Sequence, residues 1–368
     1  MESKSRPCNL RTGFPFRDNK PGLNRSGYYA MYNNDRYSIA VDLKHAKAKL
    51  VTDRLLRWAD VVVENFTPGT VERLGVDYAA AKTVNPEVVY LSISSQGQTG
   101  PNSSVSSYGG QLQAMTGLVH MTGWPDRRPS QVDQSYPDFI CPAFATTALI
   151  GALDYRRRTG KGQYIDQSNV EPAVQWVAPA MLDYSANKVV ENRAGNSVPY
   201  AAPHNAYPCE GKDSWCAIAV MSETEWGALC NVMGRPELAS DPRFATLLDR
   251  KRNEAELDSV IGEWTADLTP DEAMERLRAA GVAAGKVATM KDIVEDKQLR
   301  HRGYYKTLDH PEIGSYEAFN TPYILSRTPS EIRLPAPCLG EHTEYVCRQL
   351  LDMPEEEFVE LLLDNVFE

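Results

Sequence analysis

The sequence has few residues of the kinds that build disulfide frameworks or metal sites. Its seven cysteines are scattered, odd in number and without a CxxC pair, and its six histidines do not cluster. Disulfide scaffolds and structural zinc sites need paired or closely spaced ligands. We therefore expect no disulfide scaffold and no metal, and this cysteine usage favours a reduced cytoplasm.

The chain also has no excess of basic residues and no long apolar run. The formal net charge is −10, which argues against nucleic acid as a partner because phosphate binding needs a basic surface. No run of about 18 consecutive apolar residues is present, so we expect no membrane-spanning helix and no membrane partner. The first residues are polar, and we expect no signal peptide.

What the chain does have is the composition and size of a soluble globular protein. Hydrophobic residues make up 42% and charged residues 24% of the 368 positions, which is ordinary for such proteins. A chain of this length is too long for one small core and is predicted to form two domains.

Strand and helix patterns alternate through the first part of the chain. Residues 37–43 alternate apolar and polar side chains, whereas 59–64 and 88–94 carry short apolar runs rich in Val, and each pattern is typical of a strand. Alternation with helices predicts an α/β fold with a parallel sheet. Ligands bind beyond the carboxyl ends of the strands in such sheets, where Asn65 and Phe66 are expected.

A second stretch combines an acid, a helix and a glycine turn. Asp138 stands just ahead of an Ala/Leu-rich helix predicted at 142–158, and a TGKG turn at 159–162 then leads into a strand. Free backbone N–H groups and the helix dipole favour a negative charge at a helix N-terminus. Asp138 is therefore either an ordinary charged residue near a helix start or a carboxylate held ionised and aimed at a substrate.

A polar segment that contains proline and glycine marks a change in composition at 188–208. A smaller α/β unit follows, and from about residue 304 the chain becomes β-like and proline-rich before two closing helices. We therefore predict the first part of a large domain at 1–187, a linker at 188–208, a small domain at 209–303 and a further segment at 304–368.

Three motifs resemble those of the family III CoA-transferases, which include formyl-CoA, carnitine and bile-acid CoA-transferases and related acyl-CoA racemases. The helix after Asp138 ends in RRRTGKGQ at 156–163. The motif VENFTPG stands at 63–69, followed by Arg73, and SIAVDLK stands at 38–44. The motifs follow the family's order, and the similarity extends over nearly the whole chain.

The resemblance implies a fold, an assembly and a set of site residues. It implies a nucleotide-fold-like sheet in the large domain, to which 304–368 returns, and an interlocked homodimer. It also implies that Asp138 is the catalytic nucleophile. Five residues are implied to bind coenzyme A, namely Val41, Lys44, Asn65, Phe66 and Arg73. Each has a structural alternative, because such residues are more often solvated charges, turn residues or core side chains.

The reaction that the resemblance implies exchanges one thioester for another. Attack of Asp138 on an acyl-CoA would give an aspartyl mixed anhydride and CoA thiolate. The thiolate returns to form an aspartyl-CoA thioester and releases the first acid, and an incoming carboxylate repeats these steps in reverse. The substrates are then an acyl-CoA and a free carboxylic acid, and neither ATP nor a metal is required.

Two other functions stay open. Racemases of this family place a histidine thirty residues before the aspartate, a position that Tyr108 occupies here. A phenol holds its proton at neutral pH and is a poor base, which disfavours an acyl-CoA racemase or isomerase. Family members also begin earlier, with a strand–helix–strand unit. We therefore expect either an upstream start or a non-catalytic subunit that works beside a second related chain.

Overall fold

The structure is a computed structural model that describes residues 1–132 and 136–367. The chain forms two compact units. The first is drawn from 1–113, 134–176 and 296–368, and the second from 114–133 and 177–295. Compactness alone does not establish independent folding, so the domain boundaries expected from composition stay a prediction.

Strands and helices are numbered in chain order. The strands are β1 Val61–Glu64, β2 Val89–Ser94, β3 Gln163–Ser168, β4 His204–Pro208, β5 Trp215–Ala219, β6 Ala283–Lys286, β7 Tyr305–His310 and β8 Gly314–Phe319. The helices are α1 Gly27–Tyr32, α2 Ala48–Trp58, α3 Thr70–Leu74, α4 Tyr78–Val84, α5 Gly109–Met115, α6 Leu118–Met121, α7 Tyr136–Thr159, α8 Val170–Gln175, α9 Ala178–Asn187, α10 Glu223–Val232, α11 Leu247–Arg252, α12 Glu254–Thr265, α13 Pro270–Ala279, α14 Met290–Glu295, α15 Lys297–His301, α16 Thr343–Tyr345 and α17 Glu355–Leu363.

A parallel sheet organises the first unit. Its strand order is β1-β2-β3, with Val61 paired to Val89 and Val89 paired to Gln163. The middle strand is buried, as expected for a strand covered on both faces. The α/β fold with a parallel sheet that the sequence predicted is therefore confirmed, and the carboxyl ends of all three strands lie at one edge.

Helix α7 is tied to the carboxyl end of β3. The Gln167 side-chain amide donates to the Cys141 carbonyl at 3.1 Å, and the Cys141 thiol donates to the Asn169 carbonyl at 3.2 Å. The sequence analysis expected this helix to begin near Pro142, but it begins at Tyr136. Asp138 therefore lies inside the first turn rather than ahead of the helix.

The same helix has the length and composition of a membrane span. It has 24 residues and a mean hydropathy of 1.2 over its most apolar window, and 28% of that window is buried. This does not contradict the expectation from sequence, since Asp138, Thr146 and Asp154 interrupt the apolar run. Helix α7 resembles a membrane span in length and composition alone. Its second turn is hydrogen-bonded to Gln167 of β3 and to Asn169 just after that strand.

The strand predicted at 37–43 is not formed. The segment is extended, but Ala40 makes only an isolated bridge with Glu2. Two N–H groups of the segment donate to C-terminal residues. The Ala40 N–H donates to the Thr343 hydroxyl at 3.1 Å, and the Asp42 N–H donates to the Val366 carbonyl at 3.0 Å. The segment thus satisfies its backbone with the C-terminal residues instead of a neighbouring strand.

Two helical regions are interrupted. Between 170 and 187, α8 ends at Gln175 and α9 begins at Ala178 with Pro179 in its first turn, where proline is tolerated. The first of the two closing helices predicted from sequence is the single turn α16 followed by a π-helical turn, Val346–Leu350.

The second unit has its own sheet and core. Strands β4, β5 and β6 pair antiparallel in that order. The buried core includes Trp226, Leu229 and Leu257. Helix α13 begins with a capping box, in which the Thr269 hydroxyl accepts from the Glu272 N–H while the Glu272 carboxylate accepts from the Thr269 N–H.

Candidate active site

The carboxyl edge of the parallel sheet brings several of the sequence-predicted residues together. Asn65 and Phe66 follow the last residue of β1. The hydrogen bonds of Cys141 bring the start of α7, with Asp138, to the end of β3. This edge is where α/β sheets place their ligands, and both Asp138 and the Asn65–Phe66 turn lie at it.

Asp138 combines an accessible carboxyl with partial desolvation. The residue is exposed, yet the protein atoms packed around it displace part of its hydration and raise the pKa of the Asp138 carboxyl above its ordinary value. Of the two interpretations from sequence, one had the helix N-terminus hold this group ionised, and desolvation acts in the opposite direction. A less hydrated carboxylate is also a stronger nucleophile once it has lost its proton.

Aromatic contacts and a proline surround the first turn of α7. The Phe139 and Tyr32 rings lie 5.6 Å apart, and those of Tyr136 and Trp176 lie 6.0 Å apart, distances at which ring pairs stabilise a packing arrangement. Pro142 lies inside the helix and has no N–H, so the Asp138 carbonyl lacks its usual helical donor. Ring packing therefore helps to hold this turn in place where one helical hydrogen bond is missing.

Cys141 lies one helical turn after Asp138 and is buried. Burial, together with the negative charge of Asp138, raises the pKa of the Cys141 thiol to about 12. A thiol in this state stays protonated at neutral pH and is not a nucleophile. Cys141 is therefore not a candidate nucleophile, and Asp138 remains one.

The turn after β1 is held by a buried acid. The Phe66 N–H donates to Glu64 Oε2 at 2.8 Å, and Glu64 is only 9% exposed. Desolvation raises the pKa of Glu64, and the Ser92 hydroxyl and the Phe66 N–H offset only part of that rise. The sequence analysis did not single out Glu64, although the acid at the end of a Val-rich strand was the available signal.

Phe66 and Asn65 are both exposed. Phe66 is 45% exposed, so in this chain it is not the core residue that one interpretation of the sequence allowed. An exposed ring beside a strand end can cover an apolar or aromatic part of a ligand.

The two predicted cationic residues are also exposed. Lys44 lies in a turn ahead of α2, and Arg73 lies on α3, where its guanidinium donates to the Thr70 hydroxyl at 2.9 Å. Neither forms a salt bridge within the part of the chain that the structure describes. No described contact joins either of them to Asp138. Cations without a carboxylate partner remain available to an anion.

Val41 and Tyr108 occupy contrasting environments. Val41 is 1% exposed and packs in a core with Val346 and Phe358, so a contact of Val41 with CoA would involve atoms other than its side chain. Tyr108 is 71% exposed at the start of α5, and its N–H donates to the Gln111 side chain at 3.2 Å. No described contact joins Tyr108 to Asp138.

Other features of the first unit carry no comparable chemistry. At the amino edge of the sheet, a groove lined by Asp60, Glu87 and Arg156 has its charges paired, with Arg156 2.8 Å from Asp60. Within residues 1–132 and 136–367, no three side chains of His, Cys, Asp or Glu lie close enough to hold a metal ion.

Comparison with known proteins shows the family to which the chain is similar. The sequence matches CoA-transferase family III over residues 5–343. It is 32% identical to a succinyl-CoA–D-citramalate CoA-transferase of Chloroflexus aurantiacus, covering 93% of this chain and 85% of that protein. It is 30% identical to a succinate–glutarate CoA-transferase of Agrobacterium fabrum, covering 92% and 84%. The structure matches the crystal structure of a CAIB/BAIF family protein from Brucella suis with a TM-score of 0.86 and 30% identity, over 95% of this chain and 90% of that one.

Proposed function

Because the chain belongs to CoA-transferase family III, we propose that it moves CoA from an acyl-CoA thioester to a free carboxylic acid through a covalent intermediate on Asp138. The observation that carries the proposal is the position of this carboxyl. It is accessible and partly desolvated, in the first turn of a helix that is anchored to the carboxyl edge of the sheet.

The reaction proceeds by four acyl transfers on this one carboxylate. Asp138 attacks the thioester carbonyl, the C–S bond breaks, and a mixed anhydride and CoA thiolate form. The thiolate attacks the Asp138 carbonyl of the anhydride and expels the first acid as a carboxylate. The second acid then attacks the aspartyl-CoA thioester, and the released thiolate takes the new acyl group and restores Asp138. Free backbone N–H groups in the first turn of α7 stabilise the oxyanions.

CoA binding is assigned to the residues near the strand ends. Lys44 and Arg73 supply positive charge for the phosphates of CoA, and Asn65 and Phe66 line its path after β1. Val41 contributes through the backbone, since its side chain is buried. The exposure of the two cations and their lack of salt bridges in the described chain support this assignment.

A homodimer in a reduced cytoplasm is the proposed working form. Much of α7 is apolar and exposed in the single chain, with Phe139, Ile150 and Tyr155 each more than 40% accessible. Such a face needs a cover in water, and a second copy of the chain supplies one without any further component. Racemisation is not favoured, since the exposed phenol of Tyr108 takes the place of a histidine.

The test uses variants of Asp138 with an acyl-CoA donor and a panel of acids. Succinyl-CoA with D-citramalate or glutarate is a suitable first choice, because the relatives' names contain these acids. Asp138→Asn and Asp138→Ala should fold normally, bind CoA and lose nearly all transfer. Asp154→Asn, at a half-buried acid of the same helix that pairs with Arg157 and Arg158, is the matched control. Hydroxylamine added during turnover should leave a hydroxamate on Asp138 that mass spectrometry locates.

The pH dependence gives a second readout. Only the ionised carboxylate attacks, so kcat/KM should fall as the pH drops through the pKa of Asp138. Desolvation raises that pKa, so the acid limb should lie above the ordinary aspartate value near 3.8. An Asp138→Ala enzyme that turns over at a near-normal rate would end the proposal.

A further inference from the structure

We propose that Glu64 is a positioning residue that works as a buried, neutral carboxyl. It holds the Phe66 amide and so fixes the Asn65–Phe66 turn in the shape that receives CoA. The part of this proposal that concerns CoA rests on the proposed function, whereas the part that concerns the turn does not.

The first observation is how the turn is held. Glu64 is the last residue of β1 and pairs with Ser92 of β2. Its side chain reaches forward, and Oε2 accepts from the Phe66 N–H at 2.8 Å. Asn65 and Phe66 are exposed, so their side chains do little to fix the turn. The buried carboxyl of Glu64 is the described group that does so.

The second observation is that no cation faces this carboxyl. The ionisable groups whose charges act with Glu64 are Glu72 on α3, Tyr90 on β2 and Tyr164 on β3. All three are acids. Buried carboxylates are ordinarily paired with Arg or Lys, since an unpaired buried charge is costly. Glu64 has no such pair among the described residues.

The third observation concerns the other carboxyl oxygen. Glu64 Oε1 is buried and has no hydrogen-bond partner of normal geometry among the described residues. The Ser92 hydroxyl lies beside the carboxyl. A proton on Oε1 removes the unpaired charge and turns this oxygen into a donor toward Ser92. The Ser92 hydroxyl can accept from the neutral acid or donate to the anion, so the lack of a facing cation among the described residues is what favours the neutral form.

Placing the turn matters for catalysis because CoA must be held while the thiolate leaves and returns. A displacement of about 1 Å in a positioning group can cost about a hundredfold in rate. No described contact joins Glu64 to Asp138, so its effect is expected on binding of CoA esters more than on the chemical steps.

The experiment compares three variants in the full-length protein. Glu64→Gln keeps the neutral shape, with an amide oxygen for Phe66 and an amide N–H for Ser92. It should keep KM for acyl-CoA within about twofold. Glu64→Ala removes the acceptor and should raise KM for both CoA esters by about tenfold, the effect of one hydrogen bond of about 1.4 kcal/mol, with kcat nearly unchanged. Glu87→Gln, at an exposed acid near the start of β2, should match the wild type.

The pH profile distinguishes the neutral carboxyl from a merely structural side chain. Burial raises the pKa of Glu64 above the ordinary value of 4.5. The stabilisation from the neutral acid is complete below that ordinary value and is lost as the pH rises through the raised pKa of the folded state. Wild-type KM for acyl-CoA should therefore increase along that rise, and Glu64→Gln should not show the increase. Equal profiles for the two would overturn the neutral-acid proposal.

Amide hydrogen exchange tests the turn without any substrate. The Phe66 amide should be protected in the wild type and in Glu64→Gln, and it should exchange faster in Glu64→Ala. Should the alanine variant unfold, Glu64→Leu replaces it, because its side chain fills the buried site but has no acceptor for the Phe66 N–H. Unchanged Phe66 exchange in a folded variant would overturn the proposal even if transferase activity is absent. Loss of transfer in the wild type with normal Phe66 protection would count against the proposed function alone.

Discussion

Gly162, the second glycine of the TGKG turn, allows β3 to begin against the backbone that leads into β2. A Cβ atom added there would lie 2.1 Å from the Val88 carbonyl oxygen and 2.5 Å from the Glu87 carbonyl oxygen. Real Cβ atoms essentially never approach closer than 3.0 Å. Gly162→Ala therefore requires the main chain itself to move, by about 1 Å, at the start of two paired strands.

The cost follows from what must move. Inserting a methyl group into a packed site costs about 1–3 kcal/mol, and we expect the upper end because both obstructing atoms belong to the backbone. For a unit of this size, about 3 kcal/mol corresponds to a Tm that is lower by roughly 6–12 °C. The β2–β3 register should loosen, and the anchor of α7 with it, so transferase activity should also fall.

A helix glycine provides the control of opposite sign. Gly227 lies in α10, and a Cβ added there meets nothing within 4 Å. Since alanine is the better helix former by about 1 kcal/mol, Gly227→Ala should raise Tm slightly. Thermal unfolding followed by circular dichroism measures both variants. A Gly162→Ala protein as stable as the wild type would refute the steric reasoning.

Two further predictions concern binding and assembly. Lys44→Ala and Arg73→Ala should each weaken CoA binding by about 5- to 150-fold, if each charge-assisted bond contributes about 1–3 kcal/mol. Calorimetry measures this, with Lys82→Ala on α4 as the control, and unchanged affinity in both variants would refute the assignment. The protein should sediment as a dimer at micromolar concentration, because the apolar face of α7 needs a cover, and a monomer there would contradict the proposed assembly.

The three strands of the parallel sheet were predictable because their signal is local. The Val runs at 59–64 and 88–94 and the glycine turn before β3 gave the strands to within two residues of β1, β2 and β3. The alternation at 37–43 is just as regular, yet it forms no strand. Its backbone partners include Glu2, Thr343 and Val366. A local pattern does not indicate which distant residues will accept the hydrogen bonds of an extended segment.

The site was predictable in part for the same reason. The resemblance located Asp138 from its motif, and a helix start at Pro142 was a sound inference from local rules, although α7 continues back to Tyr136. Partial desolvation of Asp138 and the burial of Glu64 depend on the packing of separate elements. Neither could be inferred from the sequence, because the burial of a side chain depends on which distant elements pack against it.

The hydrogen bond between Gln167 and the Cys141 carbonyl links the length of β3 to the position of α7 in the candidate active site. Side chains alternate between the two faces of a strand. Inserting or deleting one residue before Gln167 would therefore turn its amide away from α7. The number of residues in β3 therefore decides whether the start of α7, with Asp138, stays hydrogen-bonded to the carboxyl edge of the sheet.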